Sequence, residues 1–399
     1  MNPLSNDRWQ LPDGVDELLP DAARNVERLR RVIVDCCHGW GFELVMPPMI
    51  EYLDSLLTGT GETMDLQTFK LVDQQNGRSL GVRADMTPQV ARMDAHALRS
   101  ELPNRLFYTG TVLRARTDGF GGSRSPLQFG AELFGHAGNQ SDIEIIRLML
   151  TTMERAGQLT ENLTLDLGHV GVYRGLLEQL NLDSATEKSL FTSVQSGSYP
   201  DVKALLDSLD MPQKRAELDA LEALMHMRGN ETMLEDAQHQ FRSAGAAVTK
   251  AISTLQAIVK GVRATHPDVH INVDLAELRG YRYHTGALFA AYAADGIELA
   301  RGGRYDAVGA AFGHPRPATG FSGDLKQLAD IVKPMQTRQP GVFVAAELVE
   351  LAWPEISRLR ARGERVVTAL SDKDVNAPSW HCDRVLERHN NEWKIAPCK

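Results

Sequence analysis

Residues 105–136, RLFYTGTVLRARTDGFGGSRSPLQFGAELFGH, decide the fold. RLFYTGTVLRA and PLQFGAELFGH read as two strands, each with aromatic and branched residues at alternate positions. The connector from Arg116 to Ser125 carries Gly119, Gly121 and Gly122, so a mobile loop joining antiparallel strands is expected. Side chains along a strand repeat every two residues. Gln128, Gly130 and Glu132 therefore share one face of the returning strand.

The same pattern recurs on either side. TFKLVD and RSLGVRAD flank Gln74-Gln75-Asn76-Gly77, whose Asn-Gly pair is a hairpin signal. ALFAAYAADGIELA turns about Asp295-Gly296. Hairpins interrupted by occasional helices predict an α+β protein with an antiparallel core sheet, because a parallel sheet needs strand–helix alternation throughout. Neither GxGxxG nor GxxxxGK[ST] occurs, which removes the usual dinucleotide and P-loop readings.

Helices flank these strands. Val26, Leu29, Ile33, Cys37 and Trp40 recur at three- and four-residue spacing, predicting a helix from Asp21 to Trp40. DIEIIRLMLTTMERAG, from Asp142, is a second amphipathic helix. GFELVMPPMIEYLDSL between them is a short strand broken by Pro47 and Pro48 and followed by a helix. From Val172 to Val262 one helical period follows another, as expected of a helical domain inserted between strand-rich regions. The expected order is a core in two parts, residues 1–171 and 265–335, a helical insert at 172–264, and a small α/β module at 340–399.

Composition narrows the function. The 399 residues carry 52 acidic and 43 basic side chains, a net charge of −9, which argues against a protein whose main task is wrapping nucleic acid. Cys36, Cys37, Cys382 and Cys398 have the spacing of neither a zinc knuckle nor a redox pair. The histidines offer no metal site, and Pro267 separates His266 from His270 on any helix. No cofactor and no metal is expected. The opening residues lack the basic and apolar segments of a secretion signal, and no apolar run reaches the ~18 residues of a membrane span. A cytoplasmic protein is expected.

Three clusters could carry chemistry. The first is Arg83-Ala84-Asp85-Met86-Thr87-Pro88, at a strand end. The second is Arg114-Ala115-Arg116 with Gln128 and Glu132. The third joins RGYRYHTG (Arg279 to Gly286) to RGGRYD (Arg301 to Asp306), where Gly302 and Gly303 admit a ligand or another backbone at close range. Arginine forks, tyrosine hydroxyls, an amide and carboxylates suit a small zwitterion with a polar side chain. Taken singly, Gln128 and Glu132 fit a solvated ion-pair network as well as a site, Tyr283 and Tyr305 read as core-rim aromatics, and His284 reads as a structural histidine.

Taken in order, the clusters resemble the catalytic core of histidyl-tRNA synthetase, a class II aminoacyl-tRNA synthetase. LPDGVDELLP, GFELVMPPMIE around the motif 1 proline, RADMTPQVAR, the Arg114–Glu132 motif 2 stretch, RGYRYHTG and GGRYD match across most of residues 9–330. That resemblance implies histidine contacts at Asp85, Thr87, Arg114, Gln128, Glu132, Arg279 and Tyr283, with His284 beside them although the synthetases carry tyrosine there. The ATP machinery departs from the family. Arg116 stands where motif 2 has an acidic residue, and Lys326-Gln327 where motif 3 has Glu-Arg. In RGYRYHTG, Arg282 replaces an acidic residue, and the tail after Gly341 is short for an anticodon-binding domain.

A retained histidine pocket beside a dismantled nucleotide site resembles the regulatory subunits of ATP phosphoribosyltransferase, synthetase-like paralogues in histidine biosynthesis. Membership there implies no aminoacylation, a short-form catalytic subunit as partner and L-histidine as feedback effector. It also implies a homodimer through motif 1 inside a hetero-oligomer, with tRNA not a partner. Two readings compete: an active histidyl-tRNA synthetase with an atypical motif 3, and a synthetase-like regulator of an unrelated enzyme or RNA.

Overall fold

The computed structural model describes residues 10–59, 62–117, 122–158, 160–332, 340–371 and 380–398. The chain divides into two compact units, Met1–Lys333 and Pro334–Lys399.

The first unit opens with α1 (Pro20–Gly39), β1 (Glu43–Leu44), β2 (Ile50–Tyr52), α2 (Leu53–Leu57) and α3 (Glu62–Gln67). Then come β3 (Phe69–Val72), β4 (Ser79–Val82), α4 (Thr87–Met93), β5 (Asn104–Thr111), β6 (Leu127–Phe134), α5 (Asn139–Ala156) and β7 (Thr164–His169). A helical stretch follows: α6 (Val170–Leu180), α7 (Ser184–Gln195), α8 (Tyr199–Asp207), α9 (Arg215–Leu224), the short β8 (Arg228–Asn230), α10 (Met233–Gln240) and α11 (Ala246–Arg263). The chain returns through β9 (His270–Asp274), β10 (Ala287–Tyr292), β11 (Glu298–Arg304), β12 (Ala318–Asp324) and α12 (Leu325–Ile331). The second unit holds β13 (Gly341–Val344), α13 (Val349–Ala361), β14 (Val366–Thr368), β15 (Cys382–His389) and β16 (Glu392–Pro397).

A nine-stranded sheet in the order β1-β5-β6-β12-β11-β10-β7-β9-β8 organises the first unit. Its centre, β5 to β7, is antiparallel throughout, as the hairpins predict. The flanks differ: β1 pairs with β5, and β7 with β9, in parallel, joined across long connections that periodicity does not register. β8, a strand inside the helical stretch, completes the far edge.

Alternation along β6 sorts the two faces. Phe129, Ala131 and Leu133 enter the large core with Leu29 and Ile33 of α1 and Ile145, Leu148 and Met149 of α5. α1 buries one stripe of its surface, and burial pushes the Cys37 thiol up to about 12, so these cysteines act as apolar side chains. The insert shares that core, since Leu176 and Leu180 of α6 and Ile252 and Leu255 of α11 belong to the same cluster. The opposite sheet face carries Leu106, Tyr108 and Phe134, which pack with Met86, Val90 and Tyr305.

Gly302 and Gly303 let neighbouring strands approach closely, and both also line the cavity described below. A Cβ at Gly302 would collide with the Gly320 carbonyl, and one at Gly303 would lie 2.7 Å from the Ala287 carbonyl. Beside them Arg304 is buried against Asp142, its Nε 3.1 Å from both carboxylate oxygens and its Nη2 2.7 Å from Ser141 Oγ. Removing one member of such a pair strands the other charge away from water, at a cost of about 3–5 kcal/mol. Arg304→Met should therefore lower stability by that amount in urea unfolding, and adding Asp142→Asn should recover part of it. Full stability in the single variant would show that the pair contributes nothing.

In the second unit β14-β13-β15-β16 form a mixed sheet, parallel at β13 with an antiparallel edge at β16. Ala352, Ile356 and Leu359 of α13 cover Val342, Val344 and Leu386. Among the described residues no helix is long and apolar enough to cross a membrane.

Candidate functional site

The polar face of the sheet floors a cavity of about 1040 Å³ within the first unit. That is the upper end of the roughly 300–1,000 Å³ usual for small-molecule sites. Asp85, Thr87, Arg114, Glu132, Arg279, Tyr283 and His284 all line it. Gln128 stands behind them, 4% exposed, and holds the first cluster in place. Its Oε1 accepts from the Met86 amide (3.0 Å) and its Nε2 donates to Asp85 Oδ1 (2.9 Å). The Thr87 amide also donates to Asp85 Oδ1, at 2.9 Å. Asp85 is thus fixed by two donors at the start of α4.

Glu132 lies at the centre and is only 1% exposed. It accepts from Thr87 Oγ1 and the Tyr108 hydroxyl, each at 2.9 Å, and from the Tyr305 hydroxyl. Burial raises its carboxyl to about 8, although the three hydroxyls pull the other way. Burial, reinforced by the Glu132 charge, holds the Tyr108 and Tyr305 phenols well above their ordinary range, so they remain donors. Gly130 makes room: a Cβ there would lie 2.6 Å from Tyr108 Cζ.

RGYRYHTG and GGRYD meet as the hairpin reading anticipates. The Thr285 amide donates to the Arg304 carbonyl at 2.8 Å, and the Asp306 amide to Thr285 Oγ1 at 3.0 Å. Tyr283 stacks on Tyr305 with ring centres 5.2 Å apart. Its hydroxyl is buried and has no hydrogen-bond partner among the described residues. An unpaired buried hydroxyl costs stability unless something supplies a partner. His284 places Nδ1 3.3 Å from the Arg304 carbonyl, and burial lowers it to about 4, leaving a neutral ring.

Arg279 lines the cavity while already engaged. Its Nε lies 3.0 Å from Glu277, Nη1 3.1 Å from Glu298, and Nη2 donates to the Tyr292 hydroxyl at 2.9 Å. Binding a ligand carboxylate there would mean sharing a guanidinium that these carboxylates hold. Tyr108 and Tyr305 join the site without having been singled out as ligand-facing residues. The alternation that set Gln128 and Glu132 on one face, carried across the β5–β6 pair, was the signal for Tyr108, which registers with Gly130.

Of the positions at which the sequence departs from the synthetases, Arg282 and His284 line the cavity, whereas the motif 2 and motif 3 departures do not. Arg116 is exposed, and Lys326 and Gln327 are not among the lining residues. Lys326 Nζ sits 3.0 and 3.1 Å from the two Asp16 oxygens and 3.3 Å from Ser125 Oγ. Ser125 Oγ in turn donates to Asp16 at 3.0 Å. The LPDG segment is stitched to the same place, the Arg124 amide donating to the Gly14 carbonyl at 2.7 Å. Gly119 and Gly121 of the expected mobile connector fall outside the described residues. No group of three or more His, Cys, Asp or Glu among the described residues could hold a metal ion.

Residues 14–328 match the family described as histidyl-tRNA synthetase, and residues 339–396 the ATP phosphoribosyltransferase subunit HisZ C-terminal domain. The ATP phosphoribosyltransferase regulatory subunit of Thioalkalivibrio sulfidiphilus is 50% identical over 393 residues, covering 98% of both chains. That of Chromohalobacter salexigens is 48% identical, again over 98% of both. A crystal structure from Bacillus halodurans, titled as an ATP phosphoribosyltransferase regulatory subunit/histidyl-tRNA synthetase, superposes with a TM-score of 0.82 at 26% identity, covering 96% of this chain and 98% of that one. On full-length identity and on both matched domains, the chain belongs to the family of ATP phosphoribosyltransferase regulatory subunits.

Proposed function

We propose that this chain is a non-catalytic subunit that binds L-histidine in the Glu132 cavity and conveys feedback inhibition to a short-form catalytic subunit of ATP phosphoribosyltransferase. The observation that carries the reading is the contrast between two sites. Around Glu132 the Thr87 and Tyr108 hydroxyls are held in place, and the buried Tyr283 hydroxyl has no partner among the described residues. Around Lys326 the cation is held by Asp16, and Gln327 stands where the synthetases carry the guanidinium fork for phosphate. An imidazole N–H fits the Glu132 carboxylate, and an ammonium fits Asp85. Inhibition follows if histidine binds the inactive state of the complex more tightly than the active one, since equal affinity shifts nothing.

The chain acts as a homodimer through its motif 1 region, inside a hetero-oligomer in the cytoplasm, and does not engage tRNA. Leu44, Met46, Met49 and Ile50 of the motif 1 region are exposed, as are Leu71 and Val72 of β3, and exposed apolar side chains concentrated in this way mark an interface. Gln89 Oε1 and Arg92 Nε, buried nearby beneath Glu51, have no partner among the described residues.

Co-expression with the short catalytic subunit tests the reading. Product formation from ATP and phosphoribosyl pyrophosphate should require this chain and should fall when histidine is added. Activity indifferent to both, or histidine-dependent ATP–pyrophosphate exchange by this chain alone, would overturn it.

A further inference from the structure

The loop that closes the histidine cavity is held from behind by the helical insert. Tyr281 lies between two insert side chains: the Tyr173 ring of α6 meets it edge-on at 5.4 Å, and the Phe191 ring of α7 lies tilted at 5.4 Å. The Arg174 guanidinium of α6 sits 5.1 Å above the Tyr281 ring. Its Nη2 donates to two backbone carbonyls of the same loop, those of His284 at 3.3 Å and Tyr281 at 3.5 Å. Tyr283, two residues along, stacks on Tyr305, whose hydroxyl binds Glu132. One four-residue segment is therefore gripped by the insert at 281 and 284 and faces the Glu132 network at 283. Arg174 itself is not among the residues lining the cavity.

We infer that the insert sets the histidine affinity of the cavity, with Arg174 as a positioning residue that acts through the backbone of residues 281–284. The inference rests on the proposal that the cavity binds histidine. A guanidinium bridging two carbonyls restrains the segment in the conformation that presents Tyr283, and loss of that restraint makes the ligand order the loop itself. A cation stacked on an aromatic ring adds to the restraint.

Calorimetric titration of L-histidine into the full-length chain tests this, with Arg174→Gln, Tyr281→Phe and Glu132→Gln compared with the parent. Arg174→Gln should weaken binding about tenfold, equivalent to roughly 1.4 kcal/mol. Tyr281→Phe, which keeps the ring between Tyr173 and Phe191, should bind within about twofold of the parent. Glu132→Gln should abolish binding. If the parent binds no histidine, the functional proposal fails. If the parent binds, Glu132→Gln does not, and Arg174→Gln matches the parent, the positioning role is overturned while the site stands. Should Arg174→Gln not fold, Arg174→Met, which keeps the unbranched stem without the donors, carries the same test: weaker binding at unchanged melting temperature supports the inference, and parental affinity overturns it.

Discussion

Glu132→Gln is expected to abolish histidine binding and, at alkaline pH, to make the empty protein more stable than its parent. The two effects share one cause. Burial raises the folded carboxyl to about 8 from an ordinary 4.5. Such a group holds its proton more tightly folded than unfolded, so its stabilising contribution is complete below about 4.5 and is lost as the pH rises through about 8. Glutamine has no proton to lose. Urea unfolding should therefore show the variant gaining on the parent by about 4 kcal/mol between roughly pH 5 and pH 9. Binding moves the other way. A ligand donor needs the carboxylate, and deleting a buried charged partner costs up to about 5 kcal/mol, a roughly several-thousandfold loss that removes measurable binding. Parental affinity should also rise with pH towards about 8, and that slope should vanish in the variant. A flat parental pH profile would count against Glu132 as the ligand's partner.

Gly320→Ala should strongly destabilise the first unit. Gly320 lies in β12 opposite Glu132 of β6 and Gly303 of β11. An added Cβ there would overlap the Glu132 carboxylate and lie 2.7 Å from the Ala131 carbonyl. The side chain could swing away only by leaving its three hydroxyl partners, and the carbonyl cannot move without breaking the centre of the sheet. A loss of about 3 kcal/mol or more is expected in urea unfolding, with histidine binding lost in whatever folds. A parental midpoint and parental affinity would show that the β6–β12 pair has room that this packing denies.

Much of this was readable from residue order. The apolar stripe of α1, the β3–β4 and β10–β11 hairpins, and the shared face of Gln128, Gly130 and Glu132 all follow from local period and turn chemistry. What escaped the sequence depends on register and distance. Tyr305 falls in a candidate cluster and Tyr108 in none, and only the alignment of β5 with β6 and the turn after β11 bring their hydroxyls to Glu132. The parallel flanks of the sheet join strands brought together across long connections, which no window of local sequence reports. Arg279 is drawn to the site by motif, yet its engagement with Glu277, Glu298 and Tyr292 comes from neighbours up to nineteen positions away.

The Asp16–Lys326 pair spans 310 positions, and its meaning is historical as much as structural. Restoring Glu-Arg at 326–327 would not by itself recreate an adenylating enzyme, because a carboxylate at 326 would face Asp16 in place of the cation that now pairs with it. Reversion would demand at least two coordinated changes in distant parts of the chain, the first of them without benefit alone. A lineage that has taken this step is thereby kept on the regulatory side of the divide.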